Sequence, residues 1–155
     1  MFDRILNFFF RFFVYRGVRK KYGLSKEFRF NGYFIRIYGK GKIYTGKNSY
    51  ISFFSSVNLS EGTSLWIGDN VSISHNVKIY TSDIDSKELI LNGKKVAKRK
   101  DVSIGNNVLI GANTFICAGV NIGNNVIIGA NSVVTSSLES DAVYAGSPAK
   151  LIKKY

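Results

Sequence analysis

Residues 102–134 read VSIGNNVLIGANTFICAGVNIGNNVIIGANSVV, and an aliphatic residue returns at every sixth place: Ile104, Ile110, Ile116, Ile122, Ile128 and Val134. An earlier block, IGDNVSISHNVKIYT at residues 67–81, keeps the same beat at Ile67, Ile73 and Ile79. A fixed short period marks a solenoid of stacked units. Helical apolar spacing would read i, i+3, i+4, i+7, and a half-buried strand would alternate with period two. A strict six fits a short strand plus a turn. The lead Ile or Val is expected to point inward, and a second small or aliphatic residue comes four places on (Val108, Thr114, Val120, Val126, Ser132). Gly and Asn fall where the chain must bend, and both accept positive φ at little steric cost. Three such units close a triangular coil of about eighteen residues, and stacked coils bury a column of Ile and Val that one coil could not bury alone.

With the closing stretch AGSPAKLIKK at residues 145–154, these hexads resemble the hexapeptide-repeat acyltransferase family over roughly residues 37–152. The resemblance implies an all-β fold, a left-handed parallel β-helix, assembled as a homotrimer with active sites between subunits. The expected organisation is an amphipathic helix over 1–23, a β-helix over 24–152 with a protruding loop at 81–101, and a basic tail at 153–155. Ile37, Ile43, Ile51 and Val57 suggest earlier coils, with Ser49-Tyr50 read as an insertion.

A chain of 155 residues is one domain with room for a real core. Its single cysteine, Cys117, allows no internal disulfide and reads as a small packing residue. Net charge is +12, and eleven Lys or Arg precede residue 43 against only Asp3 and Glu27. A second cluster is Lys94, Lys95, Lys98, Arg99 and Lys100. Basic patches attract polyanions of any kind, but no nucleic-acid motif accompanies these, so no nucleic-acid partner is expected. One histidine is too few for a three-histidine zinc site on such a solenoid, and no metal is expected.

The opening MFDRILNFFFRFFVYRGVRKKYG reads as a helix with Phe2, Ile5, Leu6, Phe9, Phe12 and Phe13 on one face and Arg4, Asn7 and Arg11 opposite. It is too short to span a bilayer and lacks a cleavage site of the signal-peptide kind. Two roles fit it. The Phe face caps the open end of the solenoid, or residues 1–21 lie in a membrane interface with Arg16, Arg19, Lys20 and Lys21 on anionic headgroups. The expected location is cytoplasmic, with a peripheral place at the inner face of the cytoplasmic membrane if the second role holds.

The activity implied by the resemblance is acetyl-CoA-dependent transfer to a sugar hydroxyl of a surface polysaccharide or its precursor. A hydroxyl needs a base to take its proton as it attacks a thioester. Histidine suits by its ordinary pKa, and the only one here is His75. Asp83 and Asp85 open the loop as candidates to orient the imidazole, and Asp85 is an alternative base. The family's loop histidine is missing, because that stretch reads Tyr80-Thr81-Ser82-Asp83-Ile84-Asp85. An exposed turn residue is the other reading of His75. For the acetyl-CoA donor, the resemblance implies one low wall made by Gly111, Ala112, Ala118, Gly119, Gly129 and Ala130. Ser147, Lys150 and Lys153 of the tail would lie at the CoA end. An N-acyltransferase on an amino sugar, nucleotide-linked or not, and a catalytically degenerate solenoid remain alternatives.

Overall fold

In the computed structural model, which describes residues 2–155, the lead residue of every hexad points into the coil. Ile67, Ile73, Ile79, Ile104, Ile110, Ile116, Ile122, Ile128 and Val134 are all buried, as are Val108, Thr114, Val120, Val126 and Ser132. Each lead sits on its counterpart one coil away: Ile73 on Ile110 on Ile128, Ile79 on Ile116 on Val134, and Ile67 on Ile104 on Ile122. Burying one such side chain is worth on the order of 2 kcal/mol.

The three columns are three parallel sheets, the faces of a left-handed parallel β-helix. The first face holds Arg29–Asn31, Tyr50–Ser52, Ser72–Ile73, Leu109–Ile110, Val126–Ile128 and Ala142–Ala145. The second holds Arg36–Gly39, Ser56–Leu59, Lys78–Tyr80, Phe115–Ile116 and Val133–Val134. The third holds Lys42–Thr45, Ser64–Ile67, Val102–Ile104 and Asn121–Ile122. The chain visits them in that order, coil after coil.

Every third hexad carries Gly-Asp-Asn or Gly-Asn-Asn, and these hexads share the corner between the third and first faces. Asn70, Asn107, Asn125 and Asp141 stand there at φ near +55° to +58°. Their side chains form a ladder: Asn70 donates to Asn107 at 3.1 Å, Asn107 to Asn125 at 3.0 Å and Asn125 to Asp141 at 2.7 Å. A second ladder joins side chain to backbone. Asn106 Oδ1 accepts from the Asp69 N–H, and Asn124 Oδ1 accepts from the Asn106 N–H. Each corner residue thus satisfies a neighbour's polar group, as buried or crowded backbone requires.

Ser49-Tyr50 is not an insertion. Thr45 takes a lead position opposite Ile67, and residues 45–50 are a complete hexad. The extra residues of the early coils lie mostly at the corner between the second and third faces, at Lys40-Gly41 and Ser60–Thr63, with one more between the first and second faces of the first coil, where Phe30 and Ile37 are seven apart. Gly39 turns there at φ +107°, and a Cβ on it would stand 1.9 Å from the Leu59 carbonyl oxygen.

The expected loop leaves from that same corner and is a built arm. Ser82–Ile84 pairs antiparallel with Ala97–Arg99, and a helix, Ser86–Asn92, caps the hairpin. Asp85 is its N-cap, accepting from the Lys87 and Glu88 N–H groups at 3.0 and 3.3 Å. Asp85→Ala is expected to cost about 1 kcal/mol locally. Faster amide hydrogen exchange over 86–92, with the global melting temperature nearly unchanged, is the expected reading. Equal protection in both proteins would dismiss the cap.

The N-terminal segment is helical from Phe2–Phe9 through a wide π turn at Phe10–Val14 to Tyr15–Tyr22. The expected Phe face does not cap the solenoid: Ile5, Phe9, Phe12 and Phe13 are exposed, as is Phe8. The contact with the core comes instead from Phe10, Val14, Tyr15, Val18 and Tyr22. A period-four stripe drifts about 40° per step round an α-helix, and the π turn takes that drift back. Tyr15 is buried at 2% exposure and donates to the Gly32 carbonyl at 2.9 Å. Burial pushes its phenol up to about 12. Met1 and the side chain of Phe2, both placed in the expected helix, lie outside the described residues. At the other end, Lys150–Lys154 runs antiparallel on Ala142–Ala145, so the expected 153–155 tail begins inside a strand. Among the described residues no helix is long and apolar enough to cross a membrane.

Candidate active site

His75 stands at the corner between the first and second faces. Its carbonyl accepts from Asn113 N–H at 3.0 Å, Asn76 N–H donates to the Phe53 carbonyl at 2.8 Å, and Asn131 N–H donates to the Ala112 carbonyl at 2.8 Å. These bonds stack the corner in the order Phe53, His75, Ala112, Ala130. Asn76, Asn113 and Asn131 form the side-chain ladder beside it, at 2.9 and 3.0 Å.

The column changes character at His75. Toward the N-terminal end it is aromatic: the Phe53 ring lies 5.3 Å from the imidazole and 5.0 Å from Tyr33. Phe34 and Phe54 occupy the left-handed slots that Asn fills in later coils, at φ +57° and +60°, with rings stacked 5.7 Å apart. Bulky residues are uncommon there, and the missed signal was their place in the repeat. Toward the C-terminal end the column shrinks to Ala112 and Ala130. The exposed imidazole therefore sits on a step between an aromatic floor and a low wall.

The expected single wall does not exist in one chain. Gly111, Ala112, Gly129 and Ala130 share the His75 corner, and Ser147 follows Gly146 at its end, where Gly146 N–H donates to Ser132 Oγ at 3.1 Å. Ala118 and Gly119 lie at the corner beneath the arm, across the second face. Coil stacking already explains Gly111, since a Cβ there would stand 2.4 Å from the Ala130 nitrogen. Lys150 and Lys153 are exposed on the last strand, with Lys153 Nζ 4.4 Å from the Tyr155 ring centroid.

Nor does one chain bring His75 to either aspartate. Residues 77–81 run between them along the second face, and at about 3.3 Å per residue this is roughly 15 Å. Asp83 Oδ2 accepts from Ala118 N–H at 3.2 Å, and Asp85 is occupied as the helix cap. Asp85-Ser86-Lys87-Glu88 has the spacing of a capping box, and that was the signal for its role.

Cys117 is half-buried beneath the arm. Burial, and then the Asp83 charge, push its thiol up. Less thiolate is present at any given pH, so iodoacetamide at pH 8 is expected to label Cys117 several-fold more slowly than free cysteine. Asp83→Asn is expected to speed it. Labelling as fast as the free amino acid would refute this environment.

Residues 101–136 match the family described as bacterial transferase hexapeptide (six repeats). The chain is 37% identical over 113 residues to the galactoside O-acetyltransferase of Escherichia coli (strain K12), covering 72% of this chain and 54% of that protein. It thus spans about half the length of the curated relatives it matches. Its fold superposes on a maltose O-acetyltransferase from Clostridium difficile 630 with TM-score 0.74 and 29% identity, over 98% of this chain and 81% of the other. It also superposes on a single-residue mutant of AntD, an N-acyltransferase from Bacillus cereus in complex with dTDP-4-amino-4,6-dideoxyglucose and coenzyme A. There the TM-score is 0.71 and the identity 26%, over 84% of this chain and 78% of the other.

Proposed function

The chain is a hexapeptide-repeat protein of the acyltransferase family, and on that premise we propose that it transfers an acetyl group from acetyl-CoA to a sugar hydroxyl, with His75 as base. The observation that carries this reading is the placing of the chain's one histidine, exposed on the step between the Phe53 ring and Ala112. Acetyl-CoA supplies the acyl group as a thioester with a good leaving group. The narrow wall at Ala112 and Ala130 admits an extended pantetheine arm, and backbone groups of the corner orient it. The Phe53 and Tyr33 rings offer apolar surface to the C–H face of a pyranose. His75 takes the hydroxyl proton as the oxygen attacks the carbonyl, and the same proton is then available to the departing thiolate.

The acceptor class is a glycan of the cell surface or its precursor. A homotrimer fits the corners described above. In such an assembly the His75 corner of one copy faces the Ala118–Gly119 corner and arm of the next, so the two halves of the wall meet across the interface. Leu89, Ile90, Leu91 and Val96 of the arm are exposed in the single chain and offer apolar surface for that contact. Peripheral membrane contact through residues 1–21 belongs to the same reading.

The test is acetyl-CoA-dependent thiol release against a panel of sugars and short glycans, with the product analysed by mass. Release that requires a hydroxyl acceptor supports the reading. Release only with amino sugars favours N-acylation, the reaction named for the dTDP-sugar-bound relative. Absence of acetyl-CoA binding would leave a structural solenoid.

A further inference from the structure

Between the N-terminal helix and the first coil lies a cleft of about 570 Å³, lined by Asn7, Arg11, Arg19, Lys26, Arg29 and Asn31 among others. Among the described residues no carboxylate lines it and none of the four cations is in an ion pair. Arg19 is held in place: its guanidinium donates to the Ser25 and Phe28 carbonyls and lies 5.0 Å from the centroid of the Phe30 ring. Burial and the neighbouring Arg11 charge both push its pKa down. Unneutralised like charges gathered in one cleft leave it short of an anion.

A second groove, of about 390 Å³, continues from the first. Arg4, Asn7, Phe8, Arg11 and Phe12 line it, so Asn7 and Arg11 are common to both. Beyond it the helix exposes Phe8 at 61% and Phe13 at 65%, with Ile5, Phe9 and Phe12 alongside. The Arg16 guanidinium lies 4.6 Å from the Phe12 ring centroid. An anion seated against Arg11 therefore has an apolar row running away from it on the same helix.

We propose that the cleft binds the headgroup phosphate of an anionic phospholipid, with the Phe8–Phe13 row laid in the acyl layer of a membrane surface. This deepens the membrane-contact part of the reading above and stands apart from acyl transfer. Charge complementarity names the headgroup, since Arg matches phosphate geometry with paired donors. The apolar row names the lipid, since a soluble phosphate leaves it in water. A second copy is disfavoured as occupant because it would bring two basic clusters together.

The experiment is flotation of the full chain with vesicles of phosphatidylcholine alone or mixed with phosphatidylglycerol. Binding to the mixed vesicles is expected, with little to the neutral ones. Arg11→Gln with Arg29→Gln removes two cleft charges, while Lys20→Gln with Lys21→Gln removes two on the same helix outside the cleft. At about 1 kcal/mol per basic residue, either pair loses roughly thirtyfold by surface attraction. The cleft pair is expected to lose at least tenfold more. Phe8→Ser with Phe12→Ser is also expected to release the protein, and melting curves check that all variants fold. Equal losses from the two charge pairs, or equal binding to neutral vesicles, would overturn the headgroup site while leaving surface contact standing. Failure to float with either vesicle sinks both. Inorganic phosphate raising the melting temperature of wild type but not of the cleft pair, without flotation, would assign the cleft to a soluble phosphate and overturn the lipid. Association of copies that Phe8→Ser with Phe12→Ser abolishes, again without flotation, would overturn it too.

Discussion

His75→Ala is expected to lower acetyl transfer by at least a hundredfold while leaving CoA affinity within about twofold of wild type. A positioned general base is worth about 10²–10⁴ in rate, and no second histidine exists to replace it. The donor side is expected to survive because the side chains at Ala112 and Ala130 are untouched. The fold should survive as well. The coil-stacking bond at this corner uses the His75 carbonyl, and the imidazole is exposed, touching the Phe53 ring on one side. Steady-state rates beside calorimetric CoA titration separate the two effects. Near-normal turnover in the variant would remove His75 from the chemistry. Loss of CoA affinity as large as the loss of rate would make it a binding residue instead.

A large effect on stability is expected at Gly105, in the corner between the third and first faces. A Cβ there would stand 2.6 Å from Asn124 Oδ1 and 2.7 Å from the Gly123 carbonyl oxygen. Relief requires the next coil to move, and that coil is fixed by the Asn106–Asn124 and Asn107–Asn125 bonds. Gly105→Ala is expected to cost about 3 kcal/mol, which for a chain of this size lowers the melting temperature by roughly 6–12 °C. Gly17 is the control. It lies in the helix Tyr15–Tyr22 with nothing within 4 Å of an added Cβ, and alanine there is expected to stabilise slightly. A Gly105→Ala melt indistinguishable from wild type would mean that the coils are not packed as tightly as described.

The period of six is legible because each hexad repeats the same local chemistry, an inward aliphatic followed by a residue able to turn. The corner each hexad occupies is legible too, from the recurrence of Gly-Asp-Asn or Gly-Asn-Asn at every third unit. Grouping Ala118 and Gly119 with Ala112 and Ala130 overlooks that recurrence, since a whole face separates them. Asp85 carries its own label in Asp85-Ser86-Lys87-Glu88. The packed face of the N-terminal helix is hidden for a different reason: a π turn resets the stripe, and a uniform helical period cannot show it. The basic cleft is hidden as well, since only the fold brings Lys26 and Arg29 beside Arg11 and Arg19.

Beyond the first coil, every departure from six residues in the repeat is routed to one vertex of the triangle, where Ser60–Thr63 and the arm leave between the second and third faces; in the first coil Lys40-Gly41 leaves there too, and one extra residue lies between Phe30 and Ile37. Where the other two vertices carry asparagine ladders they tolerate no change of length, because one added residue would break the pairing above and below it. Such a molecule separates what can vary from what cannot. Its descendants can lengthen, shorten or exchange the arm, and with it the shape offered to an acceptor, without disturbing the histidine corner. The same vertex is the place where a grafted segment should be accepted.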